Sequence, residues 1–297
     1  MKKIYKALTG VAVGALMAVG AAQAANVSST LFAGLNQLSD NSAESLIDMG
    51  GSVVGRVDVG DRLRGIFGIG TVEDLSGGGG TRSLLAGSGN NQLAGIFDIT
   101  LFSKTDLGVA AGLGRFQYVF VPTVAFGTGL GVAGAMVAFY ENVAHTYERL
   151  NPACTVTGSG NNCENLVTVG SGAPLWVAGN AGNPNAFWVA SAFTDDIGLI
   201  GAAGSATVGG FFNMGLDLLQ NTSTRQFNSV ACGLPAVLTD LEFCASGSLL
   251  GRGGAATPYD SFDNVDFVVN VVPEPTTIAL SGLALLALAA ASRRRKV

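Results

Sequence analysis

Ser261-Phe262-Asp263-Asn264-Val265-Asp266-Phe267-Val268-Val269-Asn270-Val271-Val272 is the stretch on which the fold turns. Aromatic and β-branched residues fit a pleated, half-buried surface, and acids interleaved among them can face water, so residues 262–272 read as a strand. Runs of the same kind recur upstream. Residues 53–59, V-V-G-R-V-D-V, alternate from Gly55 onward, and residues 62–69, R-L-R-G-I-F-G-I, mix charge with apolar side chains. Residues 94–102, 116–121, 174–178 and 187–193 are further short runs of this type, separated by Gly, Asn or Asp turns. Loops are expected at 76–80, 87–91, 158–162 and 179–185, where Gly, Ser and Asn cluster. Helices look few, with candidates at 42–49, 141–150 and 214–219. No repeat of fixed period is evident, which disfavours a solenoid or propeller. The expected class is mainly β: a β-sandwich or jelly-roll-like body with few short helices, plus a C-terminal transmembrane helix.

Composition narrows the partners. The chain has 297 residues and 43 glycines, roughly twice the average usage and without a Gly-X-Y period, so they read as turns and tight strand packing. Its mean hydropathy of +0.42 overstates the body, because both terminal segments raise it. Residues 25–272 hold nine basic and 20 acidic residues, a net charge of −11, with Lys104 the only lysine. A face that neutralises phosphates needs the opposite sign, so a nucleic-acid partner is excluded. An acidic surface suits solubility outside the cell.

Both ends carry targeting chemistry. Lys2, Lys3 and Lys6 form a positive region, residues 7–22 an apolar one, and Ala22-Gln23-Ala24 supplies the small residues that signal peptidase needs, so cleavage is expected between Ala24 and Ala25. An uncleaved anchor fits less well, because the apolar region is rich in Ala and Gly and leads straight into that site. At the other end, Pro273-Glu274-Pro275 precedes an uncharged run over residues 276–292 and then Arg293, Arg294, Arg295 and Lys296. The prolines hold their segment extended and stop a preceding strand from running into a helix. As a helix the 17-residue run spans roughly 25 Å, at the short end for a hydrocarbon core of about 30 Å. Its five leucines and one isoleucine favour insertion by roughly 2–4 kcal/mol. The basic cluster orients the helix with its C-terminus inside and the body outside the cytoplasm. An alanine-rich core helix with a solvated basic cap is the plainer alternative.

A cleavable signal, a body, Val272-Pro273-Glu274-Pro275, an apolar helix and an Arg cluster together resemble the PEP-CTERM proteins of Gram-negative bacteria. That resemblance implies a precursor tethered to the inner membrane, then processing by exosortase near the Pro-Glu-Pro segment. It also implies release to the cell surface or extracellular matrix, usually in bacteria that make extracellular polysaccharide. The same tail occurs on bodies of many kinds, so it carries a destination and not an activity. The domain division is 1–24 signal peptide, 25–272 exported body and 273–297 sorting tail. Residues 261–267 resemble the closing strand of many jelly-roll surface modules.

Four cysteines lie in the body. In an exported chain an even count at short spacing reads as disulfides, and Cys154–Cys163 with Cys232–Cys244 closes two short loops. Each stabilises by roughly 3 kcal/mol in the chain-entropy model. A zinc site is the rival, without a C-x-x-C pair or a second ligand type in its favour.

Catalytic chemistry is sparse. His145 is the only histidine; a helix would place Glu141 and Glu148 near it, but no H-E-x-x-H accompanies it. There is no G-x-S-x-G elbow. Residues 129–134 fit G-x-G-x-x-G, a match that this glycine content produces by chance. No catalytic residue and no cofactor is assigned. Asp260, Asp263 and Asp266, with Asn264, offer oxygen ligands suited to Ca²⁺, and Asp195, Asp196, Asp58 and Asp61 sit at turn-like positions. Turn chemistry and a solvated strand edge account for the same residues without a metal. Trp176, Phe187, Trp188, Phe211 and Phe212 suit the lining of a sugar-binding groove or, more plainly, a core. The functional expectation is a non-enzymatic cell-surface or extracellular-matrix protein. The alternative is a carbohydrate-binding module or glycoside hydrolase acting on extracellular polysaccharide, which needs two carboxyl groups at a set separation.

The double substitution Pro273→Ala with Glu274→Ala keeps the helix and the arginines and removes the recognition segment. Full-length protein is expected to accumulate in the inner membrane on fractionation; equal release of mutant and wild type contradicts the assignment.

Overall fold

The computed structural model describes residues 27–49, 55–108, 115–142, 156–157, 160–161, 172–196, 209–232, 238–249, 260–273 and 283. Ala22, Ala24, Ala25, Cys154, Cys163, His145, Glu148, Glu274, Pro275 and Arg293 to Lys296 lie outside these residues, as does the 276–292 run apart from Leu283. Among the described residues no helix is long and apolar enough to cross a membrane.

A short helix α1 (Val27–Thr30) precedes β1 (Gly34–Ile47), β2 (Arg62–Asp74), β3 (Thr81–Ser83), β4 (Gln92–Asp106) and β5 (Phe116–Pro122). Helix α2 (Val124–Leu130) leads into β6 (Ala135–Asn142), β7 (Val156–Thr157), β8 (Gly160–Asn161), β9 (Trp176–Gly179) and β10 (Phe187–Ala192). The chain continues through β11 (Gly210–Asn221), β12 (Phe227–Asn228), β13 (Val230–Cys232) and β14 (Leu238–Leu241) to β15 (Phe243–Leu249) and β16 (Ser261–Val271). The body is thus mainly β, as its short aromatic runs require.

The main sheet closes on itself. Strand β1 pairs with β2 and β16, β2 with β4, β11 with β15, and β15 with β16, every pairing antiparallel. The wall between β4 and β11 is filled at one level by β5 and β10 and at the other by β6 and β9. Along β4, residues 92–97 pair with β6 and residues 99–106 with β5, so β5 and β6 form one stave broken by an excursion that carries α2. Strands β9 and β10 form the next stave, broken over residues 180–186. The two breaks meet where the Asn180 N–H donates to the Gly134 carbonyl at 2.9 Å. A Cβ on Gly134 or Gly179 would strike the other excursion's backbone there, and Gly134 has φ +80°. The result is an eight-stave antiparallel barrel whose staves follow chain order.

This corrects the sandwich or jelly-roll expectation. Short strands with Gly-rich turns suit either architecture, and the pairing of β1 with β16 decides between them, because it removes the open edges that two stacked sheets would keep. The helices expected at 42–49 and 214–219 are also corrected, since residues 42–47 lie in β1 and residues 214–219 in β11; of the helix expected at 141–150, only Glu141 and Asn142, the last two residues of β6, are described. Inward Ser42 and Glu44 alternate with outward Ala43, all buried, so the usual apolar-in, polar-out signature is missing and pairing on both edges overrides local propensity. Of the strand expected at 53–59, the described part is a turn and an isolated bridge from Arg56 to Asp196.

The interior is packed with rings, and glycine makes room for them. Phe67 faces Gly95 across the β2–β4 pair, while Phe97 faces Gly65 in the opposite sense. On the other side of the barrel Phe212 faces Gly247. In all three pairs the ring lies where the glycine's Cβ would be. Phe67, Phe139, Phe243 and Phe267 stack through centroid distances of 5.1–5.5 Å, within the range where edge and offset contacts are favourable. A smaller outer cluster, including Ile66, Ile96, Tyr140 and Val177, is covered by Phe126 and Leu130 of α2.

Cys232 and Cys244 are disulfide-bonded with Cα atoms 5.4 Å apart, joining β13 to β15, which is the pairing expected from spacing. Gly95→Ala should lower stability by about 1–3 kcal/mol through overpacking against Phe67. A urea midpoint that falls with unchanged slope is the expected reading.

Candidate functional site

The two ends of the barrel differ in chemistry. Gly34, Asp74, Gln92, Asn221, Phe243 and Val271 mark one end, where the chain leaves for its tail through exposed Pro273. This tail end is plugged by the segment that precedes β1: Val27, Leu31 and Phe32 join the barrel core. The Val27 N–H donates to Glu141 at 2.7 Å, and Arg225 donates to the Ser28 carbonyl.

At the opposite end, residues 55–61 run as a strap from β2 across to the far side of the mouth. The Val57 N–H donates to the Asp195 carbonyl at 2.8 Å, just beyond β10. Lys104, on β4, donates to Asp58 and Asp195, both at 2.9 Å, and Arg56 lies 3.8 Å from Asp195. Buried Asp61 anchors the strap's β2 end, accepting from the Asp58 and Met49 N–H groups. Burial disfavours ionisation of Asp195, but the hydrogen bond and charge of Lys104 outweigh it and hold the carboxyl below its ordinary range. Burial likewise opposes the charge on Lys104, and Asp58 and Asp195 overcome it and raise the ammonium's value. Burial, then the charges of Asp195 and Asp58, push the Tyr118 hydroxyl well up, so it stays protonated and donates to the Thr194 carbonyl at 3.3 Å.

Beneath the strap lies a cavity of about 40 Å³. Val57 roofs it, and Phe97, Tyr118, Phe120, Trp188 and Phe212 form its aromatic wall. Ser261 and Asp263 of β16 form the polar part. The Ser261 hydroxyl and Ser42 hydroxyl donate to the two oxygens of fully buried Glu44, at 2.8 and 2.6 Å. Asp40 accepts the Val265 N–H at 2.7 Å where the β1–β16 ladder lapses between its paired residues. A void of about 40 Å³ costs the fold about 1 kcal/mol.

The residues singled out from sequence are scattered over this frame. Asp263 faces the interior, Asp266 is exposed on the opposite face of β16, and Asp260 accepts the Leu46 N–H at 2.9 Å, so the three do not converge. Among the described residues no group of three or more His, Cys, Asp or Glu is placed to hold a metal ion. Asp58, Asp61 and Asp195 do come together, as strap anchors. Trp176, Trp188 and Phe212 are buried inside the barrel, whereas Phe211 is exposed. Residues 129–134 end α2 and form the following turn, with Gly131 as its left-handed cap, and not a strand-to-helix loop of the dinucleotide-binding type. Lys104, Tyr118 and Phe97 escaped the sequence reading. The one available signal was that a single lysine stands in a body of 20 acids.

Strand β16 passes directly into the tail, and the family model described as the PEP-CTERM protein-sorting motif matches residues 271–296. The chain carries a PEP-CTERM sorting motif. This supports processing by exosortase and implies export and sorting to the cell surface in Gram-negative bacteria. The PEP-CTERM match begins at Val271, the last residue of the barrel, so body and tail abut. No curated protein matches the chain.

Lys104→Met removes the cation between Asp58 and Asp195, leaving Asp195 only its 3.8 Å contact with Arg56, and should lower stability by about 1–3 kcal/mol, between the values for exposed and buried pairs. The Asp195 contribution is present above the ordinary carboxylate value of about 3.9 and is lost as pH falls through its depressed folded value. The Lys104 contribution is present below about 10.4 and is lost as pH rises through its raised folded value. The stability difference between wild type and mutant, from urea titrations at several pH values, should therefore be flat around neutrality and shrink at both extremes.

Proposed function

We propose that this chain is an exported, non-enzymatic protein of the cell surface or extracellular matrix. Signal peptidase removes residues 1–24, the 276–292 helix tethers the precursor to the inner membrane, and exosortase cleaves near Pro273 to Pro275. The barrel is the displayed body. The observation that carries this reading is the direct passage of β16 into the sorting motif: the Val272 N–H is still bonded to the Gln226 carbonyl at 2.8 Å, and Pro273 is exposed. Cutting there would free a closed barrel whose last strand stays paired on both edges. Support for a non-enzymatic role comes from the employment of its acids in the fold. Asp98 is held by Arg62 and Arg64, Glu44 by two serine hydroxyls, and Asp58 and Asp195 by Lys104.

A second reading, a carbohydrate-binding module or glycoside hydrolase acting on extracellular polysaccharide, draws on the exposed rings of Phe102, Phe193 and Phe211 near the strap end. Aromatic faces presented to solvent can stack on sugar rings.

Intact mass and fractionation of the protein from its host test the sorting step. A mass ending near Pro273 to Pro275 in the surface or extracellular fraction is expected, and a membrane species retaining Arg293 to Lys296 contradicts it. A glycan array and a reducing-sugar assay separate the two readings of the body: silence on a broad panel is expected, and sugar release abolished by a carboxylate substitution establishes the hydrolase.

A further inference from the structure

The segment that plugs the tail end is gripped by charge on both sides. On one side Arg225 donates to the Ser28 carbonyl at 2.6 Å, and Arg82 donates to the carbonyls of Ser29 and Thr30 at 3.0 and 2.9 Å. On the other side Glu141 receives both its hydrogen bonds on one oxygen: Oε1 accepts the Val27 N–H at 2.7 Å and the Asn91 side-chain amide at 2.5 Å. Among the described residues nothing bonds to Oε2 and no cation pairs with Glu141, which stays partly open to solvent. Lys104, the only lysine of residues 25–272, is engaged at the opposite end of the barrel. A carboxylate drawn partly out of water attracts a nearby cation more strongly than a fully exposed one. Cleavage between Ala24 and Ala25 supplies such a cation close by. The new α-ammonium stands two residues before fully buried Val27, a span of at most about 7 Å, so a turn of the chain over Asn26 brings it to Oε2. Before cleavage the same nitrogen is a neutral amide.

We infer that Glu141 is the receptor for the α-ammonium of Ala25, so that removal of the signal peptide completes the plug. The inference rests on the cleavage after Ala24 proposed above. Gly34, at the start of β1, pairs with Val271, where the PEP-CTERM motif begins, so plug and motif adjoin at one rim. The first processing step therefore tightens the end of the barrel at which the second one acts. Around Glu141, Leu93 pairs with it across the β4–β6 ladder, and Asn91 and Val27 are its hydrogen-bond donors. The charged groups on the far side of α1, Arg82 and Arg225, stay protonated throughout the range that matters. Pairing raises the folded value of the α-amine. Its contribution is thus full below the ordinary value of about 7.7–8.0 and is lost as pH rises through the raised one.

The test compares the chain that begins at Ala25 with the same chain extended by Gly-Ser, both running to Val297 in dodecyl maltoside micelles. Unfolding in urea is followed by the fluorescence of Trp176 and Trp188, both buried in the barrel. At about pH 6.5 the folding constant of the Ala25 form should exceed that of the extended form by about threefold, the size of a partly exposed ion pair. The difference should fade above about pH 9. Glu141→Gln keeps an oxygen for Val27 and Asn91 but carries no charge, so in that background the two forms should be equally stable. Trace acetylation of the α-amine, read by mass spectrometry of the N-terminal peptide, should be about threefold slower at about pH 8 in the wild type than in Glu141→Gln. If Glu141→Gln does not fold, acetylation of Ala25, which removes the charge at the nitrogen, takes its place. Equal stability of the two N-termini, or a difference that survives removal of either charge, overturns the site. The N-terminal mass of the protein from its host keeps the two readings apart: a start other than Ala25 refutes the cleavage, whereas a start at Ala25 without the coupling refutes the receptor alone.

Discussion

The narrowness of an eight-stave ring governs this molecule. A barrel of that size encloses a space that side chains can just fill, so each large ring must be met by something small across the wall. Phe67 over Gly95, Phe97 over Gly65 and Phe212 over Gly247 meet that demand on two sides of the barrel. The first two pairs are reciprocal on the same two strands, so a slip of one residue in either strand would turn that strand's ring outward and break both pairs. Register and core packing are thus one constraint, and part of the high glycine content finds its reason there.

Closure leaves only the two ends to be managed, and they are treated differently. The tail end is sealed by apolar residues of the segment before β1, Val27, Leu31 and Phe32, packed into the core. The other end is sealed by a strap that turns Val57 inward and is held by backbone hydrogen bonds to Asp195 and Leu101 and by the ion pairs among Lys104, Asp58, Asp195 and Arg56. The end that adjoins the sorting motif is thus closed by apolar packing, and the remote end by polar contacts.

The acidic composition also changes meaning inside the fold. Some of the acids that suggest a merely solvated surface are structural: Asp98 lies almost fully buried between Arg62 and Arg64 on the outer face, and Glu44 takes two serine hydroxyls inside the barrel. Buried carboxylates are tolerated when charge or hydrogen bonds compensate the lost hydration. Asp40 replaces a missing ladder acceptor for Val265, which keeps β1 and β16 together at the seam that closes the ring.

Much of this was legible in residue order. The strands at 62–69, 94–102, 116–121, 187–193 and 262–272, the turns at 76–80 and 87–91, and the Cys232–Cys244 bridge all follow from local composition, since β-branched and aromatic runs, glycine turns and short cysteine spacing act over a few residues. The sorting tail is local in the same sense: prolines, an apolar run and arginines are read in series, and the PEP-CTERM match at 271–296 rests on that series alone. What only tertiary structure decided is whatever depends on closure. Residues 42–47 look helical until β2 and β16 pair with both their edges, and sandwich and barrel are indistinguishable until β1 meets β16. Lys104 and Asp195 are 91 positions apart, and Phe97 and Asp263 farther still, so their meeting at one mouth is written in no segment of the chain. Sequence specifies local conformation and destination because both depend on neighbours along the chain; the cavity and its strap depend on neighbours across the ring.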